Sequence, residues 1–203
     1  MRWLIGCEFT GSVRRAFRAL GHDAWSCDLL PAADGSPYHI QGDVLDHLND
    51  GWDAAIFHPP CTFLANSGVR WLYGGKGTVR HNERWTAMER GARFFKSCLL
   101  SYIPMVACEN PIMHKYARDI VGREQDQIIQ PWQFGHGETK ATCLWLRGLP
   151  KLTPTKIVEG RAPRVHFASP GPDRWKERSI TLPGIAAAMA EQWGTGHVLM
   201  AAE

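Results

Sequence analysis

Long apolar runs are missing from this sequence. No stretch approaches the roughly 18 residues that a membrane span requires, and the opening "MRWLIGCEFTG" lacks the charged, apolar and small-residue regions of a signal peptide. A soluble, cytoplasmic protein with no membrane partner is expected. Paired cysteines are missing too: Cys7, Cys27, Cys61, Cys98, Cys108 and Cys143 are scattered, mostly inside apolar segments, and no Cys-x-x-Cys pair seeds a zinc ribbon or redox centre. Reduced thiols are the expectation. His58 and Cys61 make one H-x-x-C spacing, but no second ligand pair follows, so no metal is expected. There is no P-loop, no Ser-His-Asp pattern, no internal repeat, no low-complexity tract and no linker.

Charge of one sign is also scarce overall. The net charge of +3 is too mild to name a partner, but residues 62 to 96 carry seven Lys/Arg against two acids, and 147 to 178 carry eight against three. Two basic patches are compatible with a polyanionic partner, and equally with solvated surface.

With 203 residues and 44% hydrophobic content, the chain suits one compact domain over 1–203. Strand and helix patterns alternate along it. "RWLIGC" (2–7) is a short apolar strand, Gly11 a turn, and "SVRRAFRAL" (12–20) a helix with Val13, Ala16, Phe17 and Leu20 on one face. Strands follow at 23–30, 38–44 and 53–58. A long amphipathic helix spans 82–102, then come a strand at 104–110 and a helix at 112–122. Segments 127–135 and 140–148 read as a β-hairpin, and 183–193 as a Pro-started helix. This alternation predicts an α/β fold, a mostly parallel sheet covered on both faces and closed by a terminal hairpin.

In such sheets ligands bind beyond the carboxyl ends of the strands, and the polar residues that interrupt the pattern fall there: Glu8 and Gly11, Asp28, Asp43, Pro59-Pro60-Cys61, and Glu109-Asn110-Pro111. A glycine turn into a helix and an acid ending the second strand suit a nucleoside cofactor, although Asp28 would serve as well as a loop cap. Asp43 is placed to accept from an adenine amino group, and is locally as good an N-cap for "VLDHL". Two prolines stiffen the exit from a buried strand and hold Cys61 at the crevice mouth, where a thiolate is a nucleophile. Glu109 ends the apolar strand "PMVAC", where burial is expected to raise its pKa toward acid–base use.

The order "EFTG", "SCDLL", "QGDV", "HPPC", "CENP" resembles the cytosine-C5 DNA methyltransferases over roughly residues 1 to 147, with a weaker match at 178 to 194. The resemblance implies a Rossmann-like fold and S-adenosylmethionine as cofactor, with Phe9, Thr10 and Gly11 as its loop. Asp28 and Leu29 would lie at the ribose, Asp43 and Val44 at the adenine, and Pro59 beside them. It implies that Cys61 adds to C6 of cytosine and that Glu109 engages N3 and the exocyclic amine. Its substrate would be DNA, as a duplex with a flipped cytosine or as a single strand, in a phage or restriction-modification setting. The glycine-rich loop after Cys61, with Arg70, Trp71, Tyr73, Lys76 and Arg80, suits a mobile lid and DNA contacts.

Four features depart from the family. The loop "EFTGSV" is shorter than the usual two-glycine turn, and residue 58 is His where Gly is usual. The family's Gln-x-Arg-x-Arg pattern is missing from 130–146, leaving Lys140 as the nearest basic group for the base oxygen O2. Only the basic segment 148–177 stands where the family inserts a large target-recognition domain. A short flap is expected there, with Arg161 and Arg164 on phosphates and specificity supplied, where needed, by a separate partner protein. Two further readings stay open: an enzyme acting on free cytosine nucleotides, and a catalytically silent accessory protein.

Overall fold

The computed structural model describes residues 1–74, 79–164, 167, 171 and 174–195. Strands β1 (Arg2–Gly6), β2 (Asp23–Asp28), β3 (His39–Gln41), β4 (Ala54–Phe57), β7 (Met105–Asn110), β8 (Gln127–Ile129) and β9 (Thr142–Arg147) form a seven-stranded sheet in the order β3-β2-β1-β4-β7-β9-β8. The first five run parallel, while β9 is antiparallel to both β7 and β8. A separate two-stranded ribbon pairs β5 (Tyr73–Gly74) with β6 (Val79–Arg80). The helices are α1 (Ser12–Ala19), α2 (Asn82–Leu99), α3 (Lys115–Val121), α4 (Arg174–Ser179) and α5 (Pro183–Gly194).

Central parallel strands are buried on both faces, so they read as continuous apolar runs rather than alternating ones. The two-residue period still sorts them. Leu4, Ala55, Phe57, Val106 and Cys108 face α2, whose Trp85, Met88, Ala92, Phe95 and Leu99 follow helical spacing. Trp3, Ile5, Ala54, Ile56 and Ala107 face the other way, onto Val13 and Phe17 of α1 and Ile185, Met189 and Trp193 of α5. The result is three layers, helix, sheet and helix.

Several boundaries differ from the sequence expectation. The third strand shrinks to His39–Gln41. The helix expected from 112 starts at Lys115, because His114 caps it through a bond accepted from Ala117 N–H. Strands β8 and β9 do pair, but residues 130–141 join them by a long excursion with a 3-10 turn at Pro131–Gln133 rather than a tight turn. Residues 149–153, expected in the flap, belong to the body: Leu149 and Leu152 are buried, Trp193 Nε1 donates to Pro150 O, and Gln192 bonds Thr153 in both directions. The basic segment leaves the core only beyond them. There it lies beside the excursion, with bridges between Phe134 and Lys156 and between Glu138 and Ala162.

A buried cation ties α1 to β2, β3 and the loop between them. Arg14 on α1 is 1% exposed; it donates to Ser26 Oγ at 2.8 Å and to the Asp34 carboxylate, which also receives Arg15 at 2.7 Å. Ser26 bonds His39 Nδ1, and the other ring nitrogen of His39 bonds Leu30 O. Burial alone would raise the Asp34 carboxyl, but the two guanidinium groups hold it down at about 2. Removing one member of such a network strands the rest. Asp34→Asn is therefore expected to lower stability at pH 7 by about 1.5–3 kcal/mol in urea unfolding, the scale of hydrogen bonds to charged groups. A depressed carboxyl stabilises the fold above the unfolded value near 3.9 and stops doing so as pH falls through its folded value. Wild type and variant should thus converge between about pH 4 and pH 2; a gap undiminished across that window would remove the ion pair as its cause.

Candidate active site

The parallel register puts the carboxyl ends of β1, β2, β3, β4 and β7 on one edge of the sheet. The chain winds outward through β1, β2 and β3, then reverses through β4 and β7, so a crevice opens between the ends of β1 and β4. Antiparallel β9 enters the sheet on the same edge: Asn110 lies opposite Cys143, which brings Thr142 and Lys140 level with the end of β7.

Cys61 leaves β4 on a pinned turn. Asn110 Nδ2 donates to Pro59 O at 2.9 Å, His114 Nε2 donates to Phe63 O at 2.8 Å, His114 N–H to Leu64 O, and Asn66 N–H to Ile112 O at 2.7 Å. Within the turn, Cys61 O accepts from both Leu64 and Ala65 N–H. The Cys61 turn and the turn after β7 are therefore one hydrogen-bonded unit, and Asn110 and His114, whose roles sequence reasoning missed, are what joins them. The lid expected directly after Cys61 is fixed as far as Asn66, because its carbonyls and amides are already paired with 110–114. Any lid has to begin further along, and Lys76, Gly75 and Gly77 lie outside the described residues.

Glu109 sits beside this unit. Phe57 is opposite Cys108, so the next residues, His58 and Glu109, meet. His58 Nδ1 donates to Glu109 Oε2 at 3.1 Å, the carboxylate being an acceptor only. Burial alone would raise the Glu109 carboxyl, as expected from the sequence. The His58 hydrogen bond and the charges of Lys140 and His58 outweigh it and hold the carboxyl below its ordinary range. The expected rise is thus overturned by a partner contributed from another strand. Cys61 behaves oppositely: burial and the Glu109 charge push its thiol up, against the opposing charges of Arg178 and Lys140. At rest the sulfur is a thiol rather than the thiolate expected.

Lys140 is drawn to the same corner. Its Nζ donates to Arg178 O at the end of α4, and a small cavity is lined by Glu109, Lys140, Thr142, Thr181 and the apolar Leu182, Ile185 and Met189. Arg178 and Thr181 carry no signal in the sequence, since only the antiparallel return of β9 and the approach to α5 bring them in.

On the other side of the crevice, Glu8 is buried and accepts from Val13 N–H at 2.6 Å and Arg14 N–H at 3.2 Å, so it caps α1 with a carboxylate. Gly11 adopts φ 67°, where a side chain would meet the Arg14 guanidinium. Cys7, before Glu8, also has positive φ at 59°, a strained link into the loop of Phe9 and Thr10. Phe9 O accepts from Ala33 N–H, closing the loop after β2 against it. Asp28 accepts from Leu30 N–H at 2.9 Å and is raised by burial against these amide bonds, with Leu29 exposed beside it. Asp43 caps the 3-10 turn at Val44–His47 through Leu45 N–H at 3.0 Å. Both acids thus cap locally and also line the crevice.

The basic residues are dispersed. Arg70 stacks over the exposed Trp71 at 4.6 Å and Arg80 over Trp85 at 4.1 Å. Arg161 stacks over Trp132 at 4.0 Å, and Arg164 pairs with Glu138 at 3.5 Å. Among the described residues no helix is long and apolar enough to cross a membrane.

No protein-family model matches the chain, and no curated protein does. Solved structures do. A protein assigned as a DNA modification methyltransferase, encoded within an E. coli prophage, aligns with a TM-score of 0.50 and 14% identity over 84% of this chain and 55% of that one. The Entamoeba histolytica methyltransferase EhMeth aligns with a TM-score of 0.50 and 15% identity over 78% of this chain and 57% of that one. This chain spans a little over half the length of either. The strand order and this likeness together establish the fold: an α/β, Rossmann-like methyltransferase fold.

Proposed function

We propose that this protein is an S-adenosylmethionine-dependent methyltransferase acting on C5 of cytosine in DNA through a covalent cysteine adduct. The observation that carries the reading is the hydrogen-bonded unit of two turns that sets Cys61 beside Glu109 on adjacent strand ends, with Asn110 on Pro59 and Lys140 acting on Glu109 from the approach to β9. The names of the solved structures, one of them a DNA modification methyltransferase, agree with it.

The crevice fits the cofactor. Asp28 has carboxylate capacity left after its amide bonds and an exposed apolar neighbour in Leu29, which suits a ribose and a ring. Phe9, Thr10 and Gly11 would hold the amino-acid end, Asp43 and Val44 the adenine, and Pro59 the middle. When bound, the cofactor supplies an electrophilic methyl group.

The protein's residues do the rest. Cys61 Sγ adds to C6 of cytosine and loses its proton, and the displaced ring electrons make C5 nucleophilic. Because burial and Glu109 keep the thiol protonated at rest, deprotonation belongs to the substrate complex, not to the free protein. Glu109, held ionised, accepts from the exocyclic amine directly; to engage N3 it takes up a proton as the ring electrons shift. Lys140 is the cation for O2. C5 would then take up the methyl group, a base from solvent would remove the C5 proton, and expulsion of Cys61 Sγ, which regains its own proton, would restore the ring double bond and complete the reaction. Since C6 is shielded inside a duplex, the cytosine has to be flipped out or unpaired, with Arg70, Lys76, Arg80, Arg161 and Arg164 on the backbone and sequence choice left to them or to a partner protein.

Three outcomes are expected. With cofactor and DNA containing 5-fluorocytosine, wild type should form a covalent adduct stable to denaturing electrophoresis, and Cys61→Ala none; an adduct that persists in Cys61→Ala places the nucleophile elsewhere. Wild type that modifies dCMP but no DNA moves the substrate to free nucleotides. In calorimetry, S-adenosylhomocysteine should bind wild type and bind Asp28→Ala and Asp43→Ala about tenfold or more weakly, the cost of a charge-assisted hydrogen bond; unaltered binding in both removes the cofactor assignment. Replacing Arg161 and Arg164 together by Ala should weaken DNA binding about equally across sequences and reduce the salt slope by roughly one to two, whereas loss of one preferred site only would make these residues sequence readers.

A further inference from the structure

His58 occupies the position between the two acids of the crevice. Its side chain is 8% exposed, its Nδ1 faces Glu109 Oε2 at 3.1 Å, and its Nε2 is buried with no protein partner. A buried polar atom without a partner is costly, and the fold avoids that cost at two other histidines. His39 has both ring nitrogens engaged, by Ser26 and Leu30 O, and His114 has both engaged, by Phe63 O and Ala117 N–H. His58, at the mouth of the crevice, does not.

The ionised Glu109 fixes the tautomer. A carboxylate offers no proton, so Nδ1 of His58 carries one and donates it, and Nε2 is left as the ring atom with no protein partner. Two more groups face this pair: Lys140 bears on Glu109 from the approach to β9, and Glu8 feels the charge of His58 from the β1–α1 turn. Among the described residues, His58 is therefore the side chain that both hydrogen-bonds Glu109 and reaches Glu8 electrostatically. Its backbone is fixed as well, His58 N–H donating to Gly6 O at 2.9 Å.

We propose that His58 is the positioning residue for Glu109: it holds one carboxylate oxygen through Nδ1–H so that the other is presented to the cytosine, and keeps Nε2 open for a hydrogen-bond partner that arrives with the bound ligands. This rests on the methyltransferase reading for its purpose, and on geometry alone for the His58–Glu109 pair. It gives a reason for a histidine at this position, since a residue without a side chain would leave Glu109 to Lys140.

The test separates the two nitrogens. Asparagine places its amide nitrogen where Nδ1 stands, and glutamine places its own where Nε2 stands. In protein labelled with 13C at glutamate carboxyls, with the Glu109 signal assigned by its loss in Glu109→Gln, the Glu109 titration midpoint should rise in His58→Ala and His58→Gln and stay low in His58→Asn. Methyl transfer should follow the same order, with kcat falling on the order of 100-fold in the Ala and Gln variants, as for a displaced catalytic group, KM for DNA within about twofold, and recovery in His58→Asn. A merely space-filling His58 would leave the Glu109 midpoint unmoved in every variant, and that result overturns the proposal. Should His58→Ala fail to fold, the contrast between Asn and Gln still decides. If wild type transfers no methyl group, the proposed activity falls while the carboxyl titration still tests this pairing.

Discussion

The clamp between the turn after β4 and the turn after β7 is the constraint on which the site depends. Four hydrogen bonds, from Asn110, His114 and Asn66, join backbone that two separate strands deliver. Proline at 59 and 60 removes two amide donors from the first turn, so its carbonyls have to find partners from elsewhere, and the second turn supplies them. The parallel pairing of β4 with β7 sets the two turns side by side; the clamp then sets Cys61 against Glu109 to within the play of a few bonds. A cysteine on an unclamped loop would have no fixed relation to the carboxylate.

Burial gives the clamp its electrostatic consequence. In a poorly solvated corner each charge acts on the others strongly, and Cys61 and Glu109 want opposite things: ionising both would place two negative charges together. The structure resolves this in favour of the carboxylate, which has His58 and Lys140, and against the thiolate, which has only the weaker influence of Arg178 and Lys140. A resting thiol is slow to react with stray electrophiles. Under the proposed mechanism its activation depends on a change in the corner's charge, and proton uptake by Glu109 on meeting a cytosine ring would be such a change.

The sheet and the strand-end residues were legible in the sequence because both are local. Two-residue periodicity, glycine and proline punctuation and the apolar runs of β1, β4 and β7 each report on a few neighbouring residues, and parallel pairing then carries Asp28, Asp43, Cys61 and Glu109 to one edge whatever the details. The direction of the Glu109 shift was not legible. It depends on His58 from the next strand and Lys140 from the strand beyond, and on which effect is larger, and no local pattern encodes that comparison. The same holds for Arg14: on a helical wheel it is an ordinary surface arginine, and only the loop that brings Asp34 over it makes its burial tolerable. Residues 149–153 read as flap for a related reason: Pro150 and Lys151 outweigh Leu149 and Leu152, whose partners on α5 are remote in sequence.

Under the proposed function, that anchoring would constrain how the protein meets DNA. With 149–153 fixed to α5, the basic stretch begins near Lys156 and is held along 131–139 by two β-bridges, by Arg161 on Trp132 and by Arg164 on Glu138. Two of its cations are thus already committed to neighbours within the protein. A guanidinium stacked on an indole keeps its outer edge for a phosphate but has little freedom to follow a base edge into a groove, where recognition needs bidentate geometry at a chosen position. Under the proposed function, such a segment is equipped to define position rather than sequence, and the cytosine that reacts would be the one whose displacement from its stack costs least.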